Sequence, residues 1–526
     1  MSEHDEGKRK KAELNKTYAP YVISPVLVER FEAARDALAK GQAKDAALRV
    51  ILELNLNHSR GGKGAKSKLK RLLGDIDKAL AARADYEASR YHVFVRLDLD
   101  QLQALVAADH AGRGKPPAIY KVWLDRPLEP FLDRSLRIIK ADVCHKSFGA
   151  DGEGIVWAVA DSGIEGDHPH FSTFDTLKPP DSGPAPAAST LKGEWRLEHK
   201  DFTGGKSPLT DGYGHGTHVA GIIAGATPYD IENGTAKPRA PGAVRIRTER
   251  DQRDLIRTGA EALKTPLQGV APRCKLISLK VLDDNGDGYE SQLLAALDYV
   301  ARINDDGRWP RIHGVNLSLG YSFEAEWFAA GQSPICVAVD RLVAIGVVVV
   351  AAAGNDGSAM LLPEKSRGQK RIGLDQSITD PGNAERAITV GSTHPVSPHT
   401  FGISFFSSRG PTADGRPKPD LVAPGERILS CAARGTVEAL LAANPELKGK
   451  YDPASGQAFY REESGTSMAA PHVSGAVAAF LSIRSEFRGK PDRIKEILLA
   501  SATDLKRTRD FQGAGLLDLF RALQSV

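Results

Sequence analysis

Val156-Trp-Ala-Val-Ala-Asp161-Ser-Gly163-Ile164 is an apolar run that ends in a carboxylate and turns at once into Ser-Gly. Its short length, its valines and the turn residues behind it predict a strand buried on both faces. An aspartate at the carboxyl end of such a strand sits where open α/β sheets gather ligands and catalytic groups. Taken alone, an aspartate at a strand end is more often a cap or a turn former.

Working outward, similar runs rich in Val, Ile and Ala recur at Leu276–Val281, Val315–Leu319, Val343–Ala353 and Ala387–Val390, alternating with helical segments. That texture starts near Ser135 and predicts an α/β fold, a doubly wound and mainly parallel sheet flanked by helices. The longest apolar stretch, Leu342 to Gly354, has 13 residues. It is too short to span a bilayer, so no membrane association is expected.

Three further segments carry reactive residue types. In Gly214-His215-Gly-Thr-His218-Val-Ala-Gly221, glycines flank His215 and allow tight backbone geometry and substrate access. The two histidines lack the His-x-x-x-His spacing and the glutamate of a helical zinc pair, so metal is not the expected use. Val348-Val-Val-Ala-Ala-Ala-Gly354-Asn355 ends a second buried strand in an amide that is placed to stabilise a developing oxyanion, or simply to make a turn. Glu463-Ser-Gly-Thr-Ser467-Met-Ala-Ala-Pro471-His-Val-Ser-Gly475 puts a serine at the start of a helix of small residues, with its own N–H free to donate. Its flanks read Gly-x-Ser-x-Ala, which differs from the Gly-x-Ser-x-Gly elbow of α/β-hydrolases.

In the order Asp, His, Asn, Ser, these motifs resemble the subtilase family of serine peptidases, from about Ser135 onward. The resemblance implies a subtilisin-like fold and peptide-bond hydrolysis. It makes Asp161 the triad acid, His215 the general base, Ser467 the nucleophile and Asn355 the oxyanion donor. Asn316-Leu-Ser318-Leu319-Gly320 is similar to the family's substrate-pairing edge, with Gly354 opposite, and Ser407–Pro411 and Lys418–Gly425 are supporting matches. The implied partners are polypeptide substrates. The chemistry implied needs no cofactor; family members often bind structural calcium, for which no ligands can be assigned here. Asp283-Asp-Asn285-Gly-Asp287-Gly288 begins like a calcium loop, but its twelfth position is Leu294 where a glutamate is needed. His218 and His472 read as structural. A catalytically silent module keeping the fold is the alternative, and the four intact catalytic positions speak against it.

Two intervals are long: 54 residues from Asp161 to His215 and 112 from Asn355 to Ser467. Residues 226–268, with eight basic and six acidic residues, and residues 432–463 read as surface insertions rather than new core.

The front of the chain differs in texture. Residues 1–85 carry a charge surplus of +6, the remainder −2, within a total of +4 over 526 residues. Six of those basic residues lie in Arg60–Arg71, without aromatic interleaving; a solvated face is expected there, not nucleic-acid binding. Ser67-x-x-Lys70 in that stretch is a chance match to a Ser–Lys motif. Alternation over Val50–Leu56, Tyr91–Leu99 and Ile119–Leu124, with helices over Pro25–Lys40, Ser67–Ala82 and Asp100–Ala108, predicts a small α+β unit. The expected organisation is a helical extension (1–44), a small pro-domain-like or regulatory region (45–130) and a peptidase domain (131–526). The small region is expected to inhibit, assist folding or recruit a regulatory protein. Four scattered cysteines and no apolar run behind the basic start suggest a cytoplasmic protein.

Overall fold

The computed structural model describes residues 22–23, 25–40, 45–86, 89, 91–111, 116–124, 134–180, 196–232, 235–250, 256–323, 329–361 and 370–526. The chain divides into two compact units, Met1–Pro130 and Phe131–Val526.

In the first unit β1 (Leu48–Leu54) lies between β2 (His92–Leu97) and β3 (Ile119–Leu124), antiparallel to both. The two-residue period sends Val50, Leu52, Leu54, Val93, Val95 and Val122 to one face, where they are buried. Helices Gly61–Ile76 and Leu99–His110 supply Leu69, Leu73, Leu102 and Leu105 to the same core. The second of these helices opens with a capping box between Asp98 and Gln101. Helix Pro25–Ala39, set apart from the sequence as an extension, adds Leu27 and Phe31 to this core. A fully buried phenylalanine makes it part of the unit. The basic stretch forms the start of Gly61–Ile76, where Lys68 pairs at 2.7 Å with the buried Asp109 and Lys66 donates to the carbonyl of Ser89. Ser67 donates back to Lys63 within the helix.

The second unit is built on seven parallel strands: β4 (Val156–Asp161), β5 (Lys200–Asp201), β6 (Lys275–Lys280), β7 (Gly314–Leu317), β8 (Val348–Ala352), β9 (Ile388–Thr393) and β10 (Leu421–Pro424). Their order is β10-β9-β8-β7-β4-β6-β5. Alternation along β4 sends Trp157 and Val159 into one core and Val156, Ala158 and Ala160 into another. Helices His215–Ile223 and Thr466–Ile483 cover the first face; Glu290–Ile303 and Pro334–Ala344 cover the second. This is the doubly wound α/β architecture. The winding reverses between β4 and β7, so Asp161 and the segment after Leu317 emerge side by side at the switch point. Helix Thr466–Ile483 is long and apolar enough to cross a membrane, yet 83% of it is buried inside this unit.

The lengthened segments correct one expectation. Ala243–Arg250 and Ile256–Ala262 from the first join Ile428–Cys431 and Ala458–Glu463, which border and end the second, in a four-stranded sheet. Val244, Ile246, Val437, Leu441 and Phe459 form a separate apolar core beneath it. New core is therefore present. Its signal is thin because Val244 and Ile246 alternate with Arg245 and Arg247, while the opposite face contributes Ala243, Ala458 and Tyr460 to the main core.

Candidate active site

Asp161 ends β4 fully buried and accepts from His215 Nδ1–H at 2.8 Å, and the Ser162 N–H donates to the same oxygen. That contact sets the tautomer of His215, leaving Nε2 to exchange protons. His215 opens its helix behind Gly214, whose φ of +87° suits glycine; a Cβ there would lie 2.3 Å from Thr436 Oγ1. Buried Asp211 ties down the helix start by accepting from the N–H groups of Gly214 and Thr217 and from the hydroxyls of Ser162 and Thr217. Burial alone would depress the His215 pKa. The charge and hydrogen bond of Asp161, helped by Glu463 and Asp211, outweigh it and hold the imidazole up at about 9.

Helix Thr466–Ile483 packs on the His215 helix and presents Ser467 in its first turn. Pro471 has no N–H, so the carbonyl of Ser467 loses its partner one turn on. Ser318 fills the gap: its hydroxyl donates to that carbonyl at 2.9 Å. In return the Ser467 hydroxyl donates to the Ser318 carbonyl, also at 2.9 Å. Asn316 Nδ2 donates to Ser318 Oγ, and Asn316 Oδ1 accepts from the Ser474 hydroxyl. Among the described residues no hydrogen bond joins Ser467 to His215. The resting hydroxyl is held on the Ser318 carbonyl.

Asn355 follows β8 after Gly354, whose φ of +105° turns the chain where a Cβ would meet Thr379 Oγ1 at 2.6 Å. Asn355 Oδ1 accepts from the Thr466 N–H at 2.9 Å and from its hydroxyl at 3.1 Å. Because a backbone N–H can only donate, this fixes the amide's orientation and leaves Nδ2 for the cleft. Asn355, Ser467, Thr466, Leu319, Gly320 and Gly354 line one cleft of about 350 Å³. Ser318 lies behind it, 3% exposed.

Of the residues singled out in the sequence, Leu319, Gly320, Gly354, Asn355 and Ser467 line one cleft with Ser318 bonded behind it, and Asp161 and His215 pair at the end of the neighbouring strand β4. His218 is buried, donates through Nε2 to the carbonyls of Ile428 and Arg461, and is driven down to about 4 by burial. Asp283 accepts from the N–H groups of Asn285 and Asp287, closing a turn. Among the described residues no group of three or more His, Cys, Asp and Glu side chains gathers, and no calcium ligands are assigned. The sequence reading missed Asp211, Thr466, Asn316 and Ser474 as supports. Asp211, in Asp-Gly-Tyr-Gly-His, carried a visible signal, an acid just ahead of a helix start. Thr466, Asn316 and Ser474 carried none, since their roles exist only after β7, β8 and the Ser467 helix meet.

A carboxylate–imidazole pair, a serine at a helix start and an oriented amide at the edge of a parallel sheet define a serine hydrolase. Comparison with known proteins narrows the class. Residues 152–516 match the profile described as Subtilase family, Peptidase S8. Serine protease AprX of Bacillus subtilis is 27% identical over 436 residues, covering 81% of this chain and 79% of that protein. Subtilisin E of the same organism is 27% identical over 386 residues, covering 73% of this chain and 70% of that protein. Pyrolysin of Pyrococcus furiosus is 32% identical over 349 residues, covering 59% of this chain but 21% of that longer protein. The chain belongs to the subtilase family and is a subtilisin-like serine endopeptidase.

Proposed function

We propose that this endopeptidase works through Ser467 as nucleophile, His215 as general base and acid, Asp161 as the group that orients and charges His215, and Asn355 as oxyanion donor. The observation that carries the assignment is the 2.8 Å bond from His215 Nδ1–H to the fully buried Asp161. Substrate binding would displace the Ser467 hydroxyl from the Ser318 carbonyl and turn it toward His215 Nε2. Attack on the scissile carbonyl then passes the serine proton to His215, and the imidazolium formed is stabilised by Asp161. The tetrahedral oxygen is received by Asn355 Nδ2 and the Ser467 N–H, a first-turn donor with no intrahelical acceptor. His215 next protonates the leaving amine, and water repeats the sequence on the acyl-enzyme. Leu319, Gly320 and Gly354 line the cleft where the extended acyl half would lie.

The first unit is proposed to restrain, fold or recruit for the peptidase. The support is its open sheet face, where Ile51 pairs with Phe94 on one side and with Trp123, 48% exposed, on the other. A cytoplasmic setting is proposed from the four cysteines, all free and buried.

A fluorophosphonate probe applied to the full chain beside Ser467→Ala, read by intact mass, tests the assignment. Labelling confined to the unsubstituted protein is expected. Labelling of Ser467→Ala at another residue would overturn the nucleophile. Full activity and solubility of residues 131–526 expressed alone would remove the role proposed for the first unit.

A further inference from the structure

The four-stranded sheet made by the two insertions does more than cover the fold. Between its strands and the approach to Ser467 lies a second pocket, of about 750 Å³, lined by Arg427, Arg461, Glu462, Glu463 and Ser464. Ile246, Thr248 and Leu440, all from the inserted segments, complete its wall. The 350 Å³ cleft includes Thr466 and Ser467, whereas this pocket stops at Ser464, so the two lie on successive parts of one segment through the nucleophile. The cleft lies on the Asn355 side. The second pocket lies on the His215 side: the carbonyl of Arg461, one of its lining residues, accepts from Nε2 of His218 on the helix that His215 opens. The acyl half of a bound chain lies with the oxyanion donor, and the leaving half departs past the group that protonates it.

The hydrogen-bond inventory of the pocket is lopsided. Glu462 is saturated: Arg245 takes one oxygen and Arg427 Nε takes the other at 2.8 Å. Glu463 is paired with Arg461 Nη2. Both glutamates are largely covered, with side chains 12% and 19% exposed, while the Arg427 side chain is 56% exposed. A guanidinium carries five N–H donors, and Arg427 commits its Nε to Glu462. Its backbone is held in the left-handed region at φ 49°, with its N–H donating to Ser464 Oγ at 2.8 Å. That bond fixes Arg427 against Ser464, three residues before Ser467. The pocket therefore offers surplus fixed donors and no unpaired carboxylate.

We infer that this pocket is a subsite for the leaving-group half of the substrate, and that Arg427 selects an acidic side chain there. The inference rests on the serine-endopeptidase mechanism above and adds a specificity to it. Arg427 reads the carboxylate through its terminal nitrogens, while Ile246 and Leu440 pack against the aliphatic part of the same side chain.

Internally quenched peptides carrying Glu, Gln or Lys at each of the first three positions after the cleaved bond provide the test. With the full chain, Glu is expected to raise kcat/KM at least threefold over Gln at one of these positions, with Lys below both. The Glu/Gln ratio should fall toward one in Arg427→Gln. It should fall also in Thr248→Glu, which adds an acid to the rim and leaves Arg427 in place. Half-molar salt should weaken the ratio, because the selecting charge is exposed. Equal kcat/KM for Glu and Gln at all three positions, or a ratio unchanged in both variants, would overturn the subsite. Cleavage that persists in Ser467→Ala would overturn the mechanism instead, so the two failures are distinguishable.

Discussion

Two sheets meet at the active site, and they are built by opposite rules. The seven-stranded sheet is parallel, and its inner strands, mostly apolar in β4 and β8, are buried on both faces. The four-stranded sheet gives Ala243, Ala458 and Tyr460 to the main core and Val244, Ile246 and Phe459 to a small core of its own, and its central pairing joins Ala243–Arg250 to Ala458–Glu463, segments about two hundred residues apart in the chain. The first positions Asp161 and the residues around Ser318 and Asn355 by strand ends. The second delivers Glu463 and Ser464 to the nucleophile from the end of its own strand. The proposed chemistry sits on the parallel sheet, and the proposed surroundings of the leaving group on the four-stranded one.

The largest way to break this division is Ser467→Ala. Turnover is expected to fall by about 10⁶-fold with the fold intact, because losing one triad member disables the unit. Thermal unfolding beside a peptidase assay checks it. A stable variant with substantial remaining turnover would move the chemistry elsewhere. Next in size is Asn355→Ala, for which a loss of about 10²- to 10³-fold in kcat is expected, the range measured when a subtilisin loses its oxyanion donor. Substrate affinity should change little, since the oxygen it receives is charged only in the transition state.

Phe459→Ala sharpens the comparison from the other side. Phe459 is 4% exposed in the core of the added sheet, so its truncation is expected to lower stability by about 3–5 kcal/mol. Denaturant unfolding measures that. If the added sheet shapes the approach to Ser467, kcat/KM on long peptides should also fall at temperatures where the variant is folded. Unchanged kcat/KM would reduce the sheet to a surface attachment.

The contrast also explains what the sequence could show. β4, β8 and the Ser467 helix were legible because each is a continuous apolar run whose meaning does not depend on a distant partner. Asp161, Asn355 and Ser467 were legible because each stands at the end of such a run. The added sheet was not, because Val244 and Ile246 are single apolar residues among charges until Phe459 arrives beside them. The bond of Ser467 to Ser318 was hidden for a related reason. Pro471 announces a missing donor, but which hydroxyl replaces it depends on how β7 meets the helix. Asp109 is a similar case in the first unit, an acid whose burial makes sense only with the N–H groups of Ala118 and Ile119 and the Lys68 ammonium around it.

The smallest expected effect lies where the two sheets touch, at the charge of Glu463 on His215. Asp161, Glu463 and Asp211 all raise the imidazole, to about 9, against the opposing effect of its burial. A general base must be neutral, so kcat/KM should climb with pH between about 7 and 9 as His215 gives up its proton. The stability term runs the other way. A histidine raised in the folded state contributes stability that is fully present below its unfolded value near 6.5 and is lost as pH passes about 9. Activity and this part of stability therefore trade off across the same window. Glu463→Gln removes one of the three charges and leaves the triad in place, so the rising limb of the pH profile should move to lower pH. The loss of stability on the alkaline side should begin earlier by the same shift. A pH–rate profile and unfolding midpoints measured at several pH values, on both proteins, would show the two curves moving together. A limb that stays put would mean that Asp161 and Asp211 set His215, and that the added sheet contributes nothing to the base.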